Sequence, residues 1–106
     1  MDRRLLLDQE LRNLMDEVMG YTNIYFEPTA SVKMKYDCIR YKFDTYSVRK
    51  ANDRSYLVRD KYEVVVISRN PECELPKKIQ EHFKLCIPGR FYIADNLHHF
   101  PFTITY

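Results

Sequence analysis

The stretch covering residues 38–69 constrains the fold most, because it sets out two long strands folded back on each other. In the first arm Ile39, Tyr41 and Phe43 fall on one parity, and Arg40, Lys42 and Asp44 on the other. Successive side chains of a strand point to opposite faces, so this arm reads as half-buried with one wet face. The returning arm, Tyr62-Glu63-Val64-Val65-Val66-Ile67, is richer in β-branched residues and is expected nearer the middle of the sheet. The reversal surrounds Lys50-Ala51-Asn52-Asp53-Arg54. Its charged tip, residues 48–57, reads as longer than a two-residue turn and is expected to project as an arm.

The rest of the chain supplies what such a hairpin needs to cover its apolar face. Asp2 is placed to cap a first helix running to about Met19, where Leu7, Leu11, Leu14, Met15 and Val18 make one apolar stripe. Gly20 follows as its stop, since glycine accepts the left-handed conformation at little cost. Residues 23–27 read as a short strand that Pro28 ends, which suits a sheet edge. A polar connection follows, with Val32 and Met34 as its apolar members. Asn70-Pro71 ends the second arm, and Pro76 fits the first turn of a short helix with Leu75, Ile79 and Phe83 on one side. After the Pro88-Gly89 turn come two strands, residues 90–94 and 99–106, joined by Asp95-Asn96-Leu97-His98. In the last strand Phe100, Phe102, Ile104 and Tyr106 share a face. The expected fold is α+β, in the order α-β-β-β-α-β-β: a mostly antiparallel sheet of four or five strands with both helices on one face.

Composition narrows the function classes. A chain of 106 residues reads as one domain with its own core. Lys and Arg number 17 against 15 Asp and Glu, a net +2 that falls short of the basic stripe nucleic-acid binding wants. No apolar run approaches the roughly 20 residues of a membrane span. Asp8 and Glu10 interrupt the start before a signal-peptide core develops, so a cytosolic chain is expected. Cys38, Cys73 and Cys86 form no CxxC, and their odd count argues against a disulfide framework. They read as free thiols, mostly buried.

Candidate chemistry is thin. His98 and His99 stand near Asp95, with His82 upstream, but neighbours on a strand face opposite ways and metal sites want three or four converging ligands. Pairing Cys86 with His82 or His99 as a nucleophile has no supporting motif. With two glycines in the chain, a glycine-rich phosphate loop is excluded. No catalytic, cofactor or metal residue is therefore expected. The arm tip mixes Arg49, Lys50 and Arg54 with Tyr46 and Tyr56, but Asp44, Asp53 and Asp60 offset its charge, so a solvated tip is the plainer reading. Nine tyrosines fit either a sheet margin or a protein interface, where tyrosine is enriched. The chain ends inside a strand at Tyr106, and an edge strand there would invite pairing with another copy.

The run Gly89-Arg90-Phe91-Tyr92-Ile93-Ala94-Asp95-Asn96-Leu97-His98-His99-Phe100-Pro101-Phe102-Thr103-Ile104-Thr105-Tyr106 resembles the ending of small proteins encoded in the tail-morphogenesis region of phages and Gram-positive prophages. Asn23-Ile24-Tyr25-Phe26-Glu27-Pro28, Met34-Lys35-Tyr36 and the stretch from Tyr62 to Pro71 agree in the same order. The element order is similar to that of tail terminator (tail completion) proteins of long-tailed phages. The resemblance implies a virion protein of the tail or neck, assembled in the host cytoplasm. It implies a hexameric ring that caps the tail tube, ends its polymerisation and offers a docking face to the head-side connector. DNA would be passing cargo in the bore. Expected contact residues are Arg49, Lys50, Asn52, Asp53, Arg54 and Tyr56 on the arm, then Asp95, Asn96 and His98 with the final strand. The alternatives are another neck or head–tail joining protein, or a small nucleic-acid-binding accessory domain using the arm tip.

Overall fold

The computed structural model describes residues 3–28, 33–51 and 54–106, with side chains described outside 46–59. The expected Asp2 cap and the tucked Val32 lie outside the described residues. Helix α1 is Arg3–Met19, and its stripe is buried at Leu7, Leu11, Leu14 and Met15. It stops where anticipated: Gly20 takes φ +79° and its N–H donates to the Asp16 carbonyl at 2.9 Å. An added Cβ would meet nothing within 4 Å there, so the backbone angle and not crowding calls for glycine.

Strand β1 (Ile24–Phe26) lies parallel to β2 (Cys38–Ala51), which pairs antiparallel with β3 (Arg54–Ser68). Helix α2 (Leu75–His82) follows with proline in its first turn. Strands β4 (Cys86–Pro88), β5 (Tyr92–Ala94) and β6 (Leu97–Thr105) complete a mixed, mostly antiparallel α+β fold. The sheet order is β1-β2-β3-β6-β4, with β5 also paired to β6. The expected four or five strands are six. The extra one is β4, hidden in sequence because Pro88 reads as a breaker. It is tolerated at the margin, where an outward-facing N–H has no ladder partner to lose.

Both helices lie on one face. Ile39, Tyr41, Tyr62, Val64, Val66, Phe100, Phe102 and Ile104 meet Leu7, Leu11 and Met15 of α1 and Leu75 and Ile79 of α2 in one buried cluster. The other face has a smaller cluster of Cys38, Val65 and Ile67, covered by Tyr25, Met34 and Leu97. Beyond it the face is wet, and Lys42 Nζ meets Glu63 Oε2 at 3.7 Å directly across the ladder.

Polar ties fix the helices on this platform. The Tyr41 hydroxyl donates to Asp8 Oδ2 at 2.5 Å, and burial together with that carboxylate pushes the phenol pKa well above its usual value. Tyr106 donates its hydroxyl to Glu10, whose other oxygen lies 3.0 Å from His82 Nε2, so one carboxylate joins α1, α2 and the chain end. Asp37 accepts from Ser68 Oγ and from the Arg69 N–H, each at 2.9 Å.

Replacing Phe102, which is 3% exposed at the centre of this core, by alanine is expected to cost about 3–5 kcal/mol in urea unfolding. A loss below about 1 kcal/mol would place Phe102 outside the core.

Candidate functional site

What the sheet leaves unpaired is most informative. β1 last pairs β2 at Phe26↔Tyr41, and β6 last pairs β3 at Lys61↔Thr105, with the Tyr106 N–H reaching the Asp60 carbonyl. Beyond those rows β2 and β3 pair only with each other, from Tyr46↔Asp60 to Ala51↔Arg54. At about 3.3 Å per residue this two-stranded ribbon extends on the order of 20 Å past the sheet. The molecule is correspondingly long, 50 × 30 × 25 Å.

The arm therefore projects, but its tip differs from the sequence reading. Pairing continues through Arg49↔Leu57, Lys50↔Ser55 and Ala51↔Arg54, which leaves only residues 52 and 53 between the last partners. Strand pairing at residues 48–51 and 54–57 prevails over the turn reading that their charge suggested. Two bulges interrupt the β2–β3 ladder, one at the foot of the ribbon and one within it: Asp44 and Tyr56 are the extra residues, and each adds local twist. Of the expected arm contacts, Arg49, Lys50, Arg54 and Tyr56 are placed by backbone register alone, while Asn52 and Asp53 lie outside the described residues.

The second expected group is split. Asp95 and Asn96 form a two-residue turn with φ of +53° and +61°, the left-handed pair that a tight hairpin requires. Leu97 and His98 are not in the connection but open β6, where Ala94 pairs Leu97 and Ile93 pairs His98. Nor is the final strand an edge: β3 flanks it on one side, β4 and β5 on the other. The condition for its pairing with another copy, an edge position, is therefore not met. The Asp95–Asn96 turn lies at the Cys38 end of the sheet and the ribbon at the opposite end, so the two groups do not converge.

The true margins are β1 on one side and β4 with β5 on the other. Along the second, Leu85, Ile87, Phe91, Tyr92 and Ile93 are all exposed. Between this margin and the start of α2 opens a hollow of ≈ 640 Å³, lined by Pro71, Pro76, Pro88, Phe91, Phe100 and Phe102 among others. Sequence reading missed this surface. Its signal was Phe91-Tyr92-Ile93, three consecutive apolar residues that no strand can bury on a single face.

The titratable groups singled out from sequence are engaged elsewhere. His99 Nδ1 lies 3.0 Å from the Leu97 carbonyl, and its ring stacks on Tyr92 at 4.6 Å. Cys86 is buried with its thiol 3.9 Å from Gln80 Oε1, and burial pushes that thiol up to about 11. Cys38 is buried and pushed up to about 12, chiefly by desolvation, while Cys73 is half-buried. Among the described residues no group of three His, Cys, Asp or Glu is placed to hold a metal ion, and no helix is long and apolar enough to cross a membrane. The tyrosines divide: Tyr41 and Tyr62 are core, whereas Tyr21, Tyr36 and Tyr92 are exposed.

Comparison of the chain with protein-family models, with curated proteins and with solved structures finds no match.

Both raised thiols favour the neutral form in the fold, so their stabilisation is whole below pH 9 and is lost as pH climbs toward 11 and 12. Urea midpoints are expected to fall across that window, with a shallower fall in Cys38→Ala and Cys86→Ala. At the turn, Asn96→Val forces a β-branched residue into positive φ and is expected to cost about 1–2 kcal/mol, whereas Asn96→Gly is tolerated. Equal unfolding midpoints for the two variants would contradict the turn geometry.

Proposed function

We propose that this protein is a structural component of a phage tail, a tail terminator. Its copies associate into a ring, six in the family it resembles, that caps the tail tube, ends its polymerisation and joins the tail to the head connector. The protein acts by fit and not by catalysis. DNA passes through the bore without being gripped, in keeping with a net charge of only +2.

The observation that carries this reading is the two-stranded ribbon standing clear of the sheet. An isolated two-stranded ribbon is marginal in water, because it has no third strand or helix to cover it. A chain that extends one this far gains from a second surface to lay it on. In a ring, that surface is a neighbouring copy or the adjoining ring. The opposite end of the strands presents something different, the short Asp95–Asn96 turn. A closing element needs this inequality, since its two faces meet different partners. Head-to-tail contacts between unlike surfaces of identical copies generate a closed ring when the rotation closes.

The test is to replace residues 50–54 with a short Gly-Ser turn. Residues 50, 51 and 54 pair only within the ribbon, so urea stability is expected to change by less than about 1 kcal/mol. Phage assembled with this variant are expected to yield separate heads and tails in negative-stain micrographs. Normal numbers of joined particles would count against the ribbon's role. A monomer with salt-sensitive DNA affinity would favour a nucleic-acid-binding domain instead.

A further inference from the structure

We infer that copies of this chain join edge to edge, the β5 margin of one pairing antiparallel with β1 of the next, so that the sheets run on from copy to copy. This deepens the head-to-tail association proposed above and rests on it, though not on the identity of the tail.

The backbone leaves both margins open. The Ile39 N–H donates to the Asn23 carbonyl and the Glu27 N–H to the Tyr41 carbonyl, each at 2.9 Å. Alternation along the strand then turns the amide groups of Ile24 and Phe26 away from β2. On the far side, the two-residue turn makes Ala94 and Leu97 the bonded pair, so the N–H and carbonyl of Ile93 point away from β6. The neighbouring β4 is closed to such pairing. Pro88 has no N–H to give, and the Cys86 carbonyl already accepts from Gln80 Nε2 at 2.8 Å. Pairing is thereby confined to β5, while β4 contributes side chains. Ile87 is 70% exposed and Ile93 67%, the largest exposures among the described large apolar residues.

Charge selects the partner margin. From Met15 to Pro28, around β1, the chain carries Asp16, Glu17 and Glu27 and no Lys or Arg; all three carboxylates are exposed, and Glu27 Oε1 also accepts from the Phe43 N–H at 3.3 Å. From Lys84 to Ala94, around β4 and β5, it carries Lys84 and Arg90, both exposed, and no Asp or Glu. Lys33 and Lys35 are exposed, and the Lys35 N–H donates to the Tyr25 hydroxyl at 2.9 Å, so the β1 side carries three carboxylates against these two cations. The other nearby cations are engaged. Arg4 lies over the Phe26 ring at 4.4 Å and donates to the Tyr41 hydroxyl, while Arg40 and Lys42 belong to the face away from the helices. Two β1 margins would repel, as would two β5 margins, but unlike margins attract.

Direction agrees, and the rows set the stagger. One row of the sheet runs Tyr25, Arg40, Val65, Pro101 and Gly89. Pro88 is level with Phe26 and Gly89 with Tyr25, so Arg90 falls toward Ile24, while Tyr92, through His99 and Ile67, is level with Cys38, one row before Ile24. Pairing β5 with β1 therefore staggers neighbouring copies by two or three residues, which a closed sheet accommodates by tilting its strands to the axis. β1 and β5 run in opposite directions. Rotation about an axis along the strands preserves each direction, so neighbouring copies meet antiparallel, the better-bonded arrangement.

The test uses the full chain. Lys84→Glu with Arg90→Glu makes both margins acidic, and Asp16→Lys with Glu17→Lys makes both basic. Each double variant is expected to self-associate about tenfold more weakly than the wild type, or less still, by sedimentation velocity. Mixed in equal amounts they are expected to recover wild-type association, since every acidic margin then finds a basic one. Ile93→Pro, at a position whose N–H faces outward, is expected to weaken association without lowering the urea midpoint. Backbone amide shifts on dilution are expected at residues 24–27 and 91–94. A reversed chain that associates like the wild type, a mixture that fails to recover, or a wild type monomeric up to millimolar concentration would each overturn the edge contact. Rings that survive both reversals would remove this contact and leave the ring standing, while head–tail joining is read separately through the ribbon replacement.

Discussion

One-sided burial of the β2–β3–β6 rows against two helices governs the rest of this structure. Val64 pairs Phe102 and Val66 pairs Phe100, and these side chains all lie under α1 and α2. Because the side-chain period of a strand is two, slipping any of these strands by one residue would turn its apolar set to water. Fully burying one such side chain is worth roughly 1.5–3 kcal/mol, so a slip that exposes three or four of them is prohibitive. The register is thereby locked at the centre. That lock fixes where β2 and β3 outrun their neighbours, where β5 falls beside β6, and which amide groups the two margins turn outward.

The polar ties work within that constraint. Tyr41 is a core residue of β2, yet its hydroxyl emerges at α1 and finds Asp8, which also accepts from Arg12 Nε at 2.5 Å. Glu10, two residues on, receives the Tyr106 hydroxyl and faces His82. These contacts set the rotation of α1 about its axis, which the apolar stripe alone leaves loose. Among the described residues no buried side-chain nitrogen or oxygen lacks a partner. The carboxylates that drew notice in sequence therefore serve as fasteners between layers, each held by groups from a different element.

Much of the fold was legible because its signals are periodic. The stripe of α1, the alternation of β2 and β6, the glycine stop at Gly20 and the proline in the first turn of α2 each follow from one local rule. Legibility failed where tertiary context overrides such rules. Pro88 reads as a breaker, but the margin of a sheet makes its missing donor harmless, so β4 was hidden. His98 reads as part of a turn, but the two positive-φ residues Asp95 and Asn96 complete that reversal unaided and pull His98 into the ladder. The sequence leaves open whether the final strand is an edge, and β4 and β5, which precede it, fold back to cover its far side. Sequence order does not reveal sheet order. The ribbon was foreseen as an arm, but its charge concealed how far pairing runs toward the tip.

Edges and ends of this sheet point in perpendicular directions, and that separation bears on how an assembly grows. The margins at β1 and β5 face sideways, across the strands, whereas the ribbon and the Asp95–Asn96 turn lie at opposite ends along them. Contacts through the margins would multiply copies around an axis parallel to the strands without consuming either end. Every copy in the proposed ring would then present its ribbon on one face and its short turn on the other, because rotation about that axis cannot exchange them. A two-fold contact perpendicular to the axis would mix the faces, and the opposite charges of the two margins disfavour it by setting like against like. The unequal ends are thus kept in register by the unequal edges, and a ring built this way is polar by construction.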